Sequence, residues 1–361
     1  MYLAWKELKQ SKGKFALIIV LVTLISYLVY FLTSLAYGLA SSYTNGINKW
    51  QADNIILNYD ANDNVMMSYL ADAEFDRVEV DGQKAKLGFF PAIISLENAP
   101  ADVDTREAIY VFGIEDNSFI APDQFADITL SNGVVIDESI KDAGYKLGDT
   151  IIITRTNGDT LEWVIEGFTT KTTYQTAPII YTSMDNYRLY AFGNAAVPVF
   201  SAIVVKGSVN NLANATSSIL VSYSIPDFIN TLPGYTAQVL TFSLMIGFLI
   251  LIVAFVLGIF IYVLTLQKIN MFGVMKAQGI ASSYIAKSVI WQTIILVLFG
   301  MIIGLALTIV SGIFLAAVAP FAFNVLFYIG ISVAFIAFAL IGGLFSVRAV
   351  TKIDPLKAMG A

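Results

Sequence analysis

The chain has 361 residues, of which 57% are hydrophobic and only 13% charged, with a mean hydropathy of +0.71. Soluble domains carry about 25% charged residues and disordered chains carry more charge and less apolar surface, so both classes are excluded. The absence of Cys and His excludes thiol nucleophiles, disulfides, zinc clusters of the usual ligands and His-based triads.

In chain order, residues 1–14 predict a cytoplasmic amphipathic helix. Ala4, Leu8, Ser11 and Phe15 fall on one face with Trp5 beside them, and Lys6, Lys9 and Gln10 point away. A merely basic flank is the alternative. Residues 15–39 are free of charge and predict the first span. Their length exceeds the roughly 7–15 residues of a signal-peptide apolar region, which favours an uncleaved anchor. The small residues Ala36, Gly38 and Ala40 are the argument for cleavage.

Segment 40–238 predicts an α+β domain. Strands are expected at 54–59, 77–80, 84–89, 108–114, 133–136, 150–154 and 160–168, with a hairpin turn at Asn157-Gly158. Short helices are expected at 137–143, at 184–190 behind an N-capping Ser183, and at 208–220. The second span is 239–266, followed by a loop or helix at 267–288. Ser288 to Val347 is sixty residues without Asp, Glu, Lys or Arg. That length predicts two spans, 289–314 and 326–347, around a short external loop at 315–325 marked by Pro320 and Asn324. Residues 348–361 form a tail. The fold class is a membrane protein of four transmembrane helices with an α+β extracytoplasmic domain inserted between the first and second.

Charge sets the orientation. Residues 1–14, 267–288 and 348–361 hold ten basic and two acidic residues, whereas 40–238 holds 11 basic and 25 acidic, a net −14. Basic segments stay cytoplasmic. Both termini and the 267–288 loop are therefore expected inside a bacterial plasma membrane, with the large domain outside. The acidic balance argues against nucleic acid as a partner.

Within 267–288, Met271, Phe272, Val274 and Met275 are read as one side of a helix, beside Gly273 and Lys276. A loop with no core of its own would expose them as a docking surface; contact with the lipid surface is the alternative. The chain holds no Walker A pattern, no ionisable residue in any span and no paired carboxylates placed for hydrolysis. It is expected not to be an enzyme, not to bind a metal and not to carry a cofactor of its own. Gly300-Met301-Ile302-Ile303-Gly304 and the Ser34–Gly38 pair are small-xxx-small patterns that permit close helix packing.

The order of elements, Phe272-Gly273-Val274-Met275-Lys276-Ala277-Gln278-Gly279 after the second span, and Asp354-Pro355-Leu356-Lys357-Ala358-Met359-Gly360 at the end resemble the FtsX/MacB-type permeases of ABC transporters. The start Gln267-Lys268 and the compact length are similar to the DevC and HrtB-type haem-exporter branch, while Asn270-Met271 stands where many members carry a Glu. The resemblance implies a permease homodimer with two copies of a cytoplasmic ATPase that binds ATP-Mg. ATPase closure would be coupled through 271–276 to expulsion of an amphiphile from the membrane or its outer leaflet. Haem is the first substrate expectation, with Tyr37, Tyr43, Phe242 and Met245 as candidate contacts near the outer leaflet; an aromatic belt is the alternative. Resistance to antimicrobial peptides or bacteriocins, and force transmission to a cell-wall hydrolase without transport, are the other readings.

Overall fold

In a computed structural model the structure describes residues 12–97, 105–155, 158–212, 219–315 and 319–351. The expected helix at 1–14 falls almost wholly outside them, as do Asn157 and the 354–360 motif. The chain divides into two compact units, residues 1–38 with 239–361, and residues 39–238.

The first unit contains four long apolar helices: α1 (Lys12–Lys49, its first part), α5 (Tyr235–Leu266), α7 (Ser282–Leu315) and α8 (Val325–Thr351). The chain is a multi-pass membrane protein. At about 1.5 Å per residue, a 38-residue helix extends well past the roughly 30 Å hydrocarbon layer. The helices accordingly overrun the uncharged stretches read from sequence, and α7 begins at Ser282, ahead of the expected 289. Val22, Tyr30, Leu257, Val297 and Phe335, drawn from all four helices, share one core.

Glycines set how closely these helices approach. A Cβ on Gly300 would stand 2.5 Å from Val22 Cγ1, and one on Gly304 would stand 2.2 Å from Ser26 Oγ and 2.9 Å from the Tyr27 amide nitrogen. The α1–α7 crossing thus runs over the Gly300–Gly304 pattern. Gly342 of α8 meets Gly258 of α5 in the same way. Beyond α7, Ala322 N donates to Ser34 O at 3.2 Å. Asn324 Oδ1 then caps α8 by accepting from the amides of Leu326 and Phe327.

The second unit is α+β: β1 (Asn54–Asn58), β2 (Leu70–Ala71), α2 (Asp72–Arg77), β3 (Glu79–Leu96), β4 (Glu107–Ile114), β5 (Gly133–Asp137), β6 (Thr150–Thr154), β7 (Thr160–Thr169), β8 (Thr173–Tyr174), β9 (Ala177–Ser183), α3 (Met184–Phe192), β10 (Val199–Phe200), β11 (Ala202–Asn211), β12 (Leu220–Ser224) and α4 (Ile225–Thr231). The 18-residue β3 organises the sheet. Its first half pairs with β11, which continues to β1 and β12. Its second half pairs with β4 on one side and β6 on the other. The path β3-β4-β9-β5-β7-β6 therefore returns to β3 and closes a ring. Strand alternation sends Ile94, Ile109, Val111, Ile136, Ile153 and Trp163 into one core. It sends Leu87, Phe112, Val135, Tyr181 and Val204 to another, where Ile47 and Trp50 from the end of α1 join them.

Two sequence expectations fail here. Of the expected helix 208–220, the described part is strand: Ser208 to Asn211 belongs to β11, paired with β3 through a register shift after Val209, and Leu220 opens β12. The strands expected at 77–80 and 84–89 are one strand, because Asp81-Gly82 makes no turn. Gly82 instead faces Gly207 across the β3–β11 pair, both at positive φ (131° and 125°), and a Cβ on either would strike the opposite backbone carbonyl. The helix expected at 137–143 is a 3-10 segment from Glu138 to Ala143 capped by Asp137, and Ser183 caps α3 by accepting from Asn186 N.

The α1–α7 packing yields a direct test. Gly304→Val should lower stability in detergent by about 1–3 kcal/mol, the usual cost of overpacking. Gly247→Val should leave the melting temperature nearly unchanged, since no heavy atom lies within 4 Å of where a Cβ would stand. Equal melting temperatures for the two variants would show that the close crossing does not exist in solution.

Candidate functional site

The segment after the second span is a helix, α6 (Ile269–Ala277), which ends on Gly279. Gly279 takes φ 84°, and Ile280 N donates to Met275 O at 3.0 Å, closing the wide backbone loop that terminates many helices. The chain then turns directly into α7. Phe272 is 1% exposed and packs with Ile285 and Val289 of α7, flanked by Met275 and Ile280. Met271 and Val274 are 40% and 44% exposed. Gly273 is buried, while Met275 and Lys276 are half-buried.

The expectation of a single exposed apolar side is corrected by this geometry. Adjacent residues on a helix do not share a face, so Met271 and Phe272 diverge. The loop also has a core of its own, because the early start of α7 brings Ile285 and Val289 under α6. Phe272 is the clasp of that hairpin, and Met271 with Val274 form its outward apolar surface. Lys268, between α5 and α6, donates to Gln292 Oε1 at 3.2 Å and lies 5.0 Å from the centre of the Phe15 ring. One cation thereby ties the bases of α1, α5 and α7 together, and α6 leaves from that point.

The four aromatic and methionine candidates are distributed, not gathered. Tyr37 makes an edge contact with Phe327 of α8 at 5.6 Å. Tyr43 belongs to the second unit, where its ring lies 6.1 Å from that of Tyr235. Phe242 is half-buried on α5, and Met245 on the same helix is 43% exposed. Tyr37 thus has its aromatic neighbour on α8, whereas Phe242 and Met245 stand on α5. Among the described residues no group of His, Cys, Asp or Glu could hold a metal ion.

A set of hydroxyls inside the helix bundle was missed in the sequence. Tyr30 and Ser332 hydroxyls are 2.7 Å apart, Tyr27 and Ser311 hydroxyls 3.0 Å apart, and Ser34 bonds Tyr328. Ser26 Oγ donates to Gly300 O at 3.2 Å. The signal was present as Ser26, Tyr30 and Ser34, polar groups four residues apart along one stripe of an otherwise apolar helix. They join α1 to α7 and α8 without placing a charge in the membrane.

Comparison with known proteins follows the same division. Residues 243–355, which include α6, α7 and α8, match the family described as FtsX-like permease C-terminal. Over its whole length the chain is 24% identical to a protein of Staphylococcus haemolyticus named as a hemin transport system permease protein, HrtB, of which it covers 99%. It is 25% identical to the protein of the same name from Staphylococcus epidermidis, again covering 99%. A search of solved structures finds the periplasmic region of MacB from Actinobacillus actinomycetemcomitans at 14% identity, with 50% of this chain and 92% of that one aligned at a TM-score of 0.32, too distant to carry an argument. By this match, residues 243–355 are similar to the C-terminal domain of FtsX-like permeases.

Proposed function

We propose that the chain is the permease subunit of an ATP-driven ABC exporter, acting on haem or a closely similar amphiphile at the outer leaflet. The observation that carries the reading is the α6 hairpin. Phe272 is locked beneath it, Lys268 ties its base to three spans, and Met271 and Val274 are left exposed beside Lys276. An exposed apolar pair on a short, firmly held helix suits docking into a groove of a separate ATPase. Two ATPase copies and a permease homodimer complete the proposed assembly, and ATP-Mg belongs to the ATPase. The full-length similarity to proteins named for hemin transport supports haem as substrate. The chain itself catalyses no reaction in this scheme: its spans repack when the ATPases close, a rigid-body switch.

The two roles of α6 separate experimentally. Met271→Asp and Val274→Asp should leave protein levels normal and abolish stimulation of the partner ATPase. Phe272→Asp should instead deplete the folded protein, because an unpaired buried charge costs several kcal/mol, about 3–5 kcal/mol in comparable cases. Full stimulation by the Val274→Asp permease would remove α6 as the docking element.

Orientation is the second test. The net −14 of 40–238 against the basic flanks supports α6 in the cytoplasm and the α+β unit outside. Protease added to intact protoplasts should cut within 40–238 and spare 267–288; the reverse pattern would overturn the topology.

Substrate contact is the third. Tyr37→Phe, Tyr43→Phe and Met245→Leu together keep shape while removing oxygen and sulfur donors. A strain carrying all three should become haem-sensitive at normal permease levels. Parental tolerance would reduce these side chains to packing, and unchanged tolerance after gene deletion would dismiss haem and bring peptide export forward, for which the acidic outer unit would attract cationic chains.

A further inference from the structure

One side of α7 is used neither by the docking surface nor by the bundle core. Tyr284, Lys287, Trp291, Leu298, Ile302 and Ile309 follow one another at intervals of three, four or seven residues, so they lie along a single stripe of the helix. All six are exposed, Tyr284 at 51% and Trp291 at 43%. The opposite side carries Ile285, Val289, Leu296 and Gly300, buried against α6 and the other spans. The stripe changes chemistry once. Its first two turns present a phenol, an ammonium and an indole, whereas Leu298, Ile302 and Ile309 below them are aliphatic. Lys287 is the last charge before the sixty uncharged residues. At about 1.5 Å per residue, Trp291 stands about 6 Å further along the helix, close to the thickness of one headgroup layer. The edge of the hydrocarbon therefore crosses α7 between these two residues.

The polar groups of the stripe have no partner in the protein. Among the described residues the Lys287 ammonium has neither an ion pair nor a hydrogen-bond acceptor, and the Tyr284 hydroxyl and Trp291 indole N–H have no acceptor either. Lys268, by contrast, is engaged by Gln292. An ammonium and an indole N–H can only donate. No Asp or Glu occurs between residues 267 and 347 to accept from them. Side chains on a helix lean toward its N-terminus, so the Lys287 stem runs back toward Tyr284 and its charge leaves the hydrocarbon. Three donors at the membrane edge thus point to an acceptor that is anionic and lies at headgroup depth.

We infer that Tyr284, Lys287 and Trp291 hold the phosphate of an anionic phospholipid, whose acyl chains run down Leu298, Ile302 and Ile309. A zwitterionic lipid brings its own cation to the phosphate and gains less from Lys287. A soluble partner reaches Tyr284 but not the aliphatic positions beyond Trp291. A second copy laid on this side would bury Lys287 unpaired, at the cost of desolvating its charge. The bound headgroup sets the depth of the first turns of α7, on which α6 packs through Phe272. The inference rests on α7 being a membrane span, and not on its orientation, the ATPase or the substrate.

The absence of Cys permits a local probe. Ser283, exposed at the start of the stripe, is replaced (Ser283→Cys) and labelled with bimane. The full chain is then placed in nanodiscs of phosphatidylcholine bearing a nitroxide on its headgroup, which quenches the dye. Substituting dioleoylphosphatidylglycerol for part of that lipid should relieve quenching as though it were enriched about fivefold over its mole fraction. That factor is equivalent to roughly 1 kcal/mol, the attraction of one lysine to an anionic surface. Unlabelled phosphatidylcholine should relieve quenching only in proportion to its mole fraction. Adding Lys287→Gln should reduce phosphatidylglycerol to the same proportional behaviour, and Lys287→Arg should keep the enrichment. Enrichment indifferent to Lys287→Gln overturns the site. Loss of enrichment on adding inorganic phosphate, but not chloride of equal ionic strength, assigns the site to a free anion and overturns the lipid. Absence of quenching in the nitroxide lipid alone shows the stripe covered by a second copy and overturns it as well. Neither ATPase nor haem enters the measurement, so each of these failures leaves the exporter reading standing.

Discussion

Within hydrocarbon, a helix gains little by exchanging lipid tails for another helix's leucines, so cohesion must come from close backbone approach and from hydrogen bonds between spans. This constraint shapes the whole membrane unit. Gly300 and Gly304 allow α7 to lie against α1, and Gly258 and Gly342 do the same for α5 and α8. Close approach then brings hydroxyls within reach: Ser26 bonds the Gly300 carbonyl, and Tyr27, Tyr30 and Ser34 find Ser311, Ser332 and Tyr328. No charged group is needed at membrane depth, and the stretches 15–39, 239–266 and 288–347 contain no Asp, Glu, Lys or Arg.

The outer unit solves a different problem with water as solvent. Burial of apolar strand faces drives its assembly. The length of β3 lets one strand join two parts of the sheet, since its first half pairs with the β11–β1–β12 extension and its second half with the closed ring. Closure removes sheet edges that would otherwise invite pairing. The paired glycines Gly82 and Gly207 allow β3 and β11 to approach closely there without a break in the strand.

The α6 hairpin brings these themes to the proposed docking surface. A short isolated helix is marginal in water. Here Phe272 supplies the missing burial against Ile285 and Val289, and the Lys268 bond to Gln292 fixes the base. Stability and presentation are divided between neighbouring residues, Phe272 inward and Met271 and Val274 outward. α6 and α7 are therefore joined through packed atoms.

The number of spans, the position of the inserted domain and the family resemblance were legible in the sequence. Each depends on a one-dimensional property: run length without charge, composition of a segment, or a motif at a set place in the chain. The caps at Ser183 and Asp137 were equally local. Whether Asp81-Gly82 turns or runs on, whether 208–211 is helix or strand, and which of Met271 and Phe272 is buried were decided by partners distant in sequence: Gly207, β3, and Ile285 with Val289. The same holds for the candidate ligands. Tyr37, Tyr43, Phe242 and Met245 were grouped by expected depth, but the packing of α1 gives Tyr37 to Phe327 and Tyr43 to Tyr235. Depth follows from hydropathy along one chain; neighbourhood follows from which helix faces meet, and that is settled only by the glycines, hydroxyls and apolar side chains of all the helices packing at once.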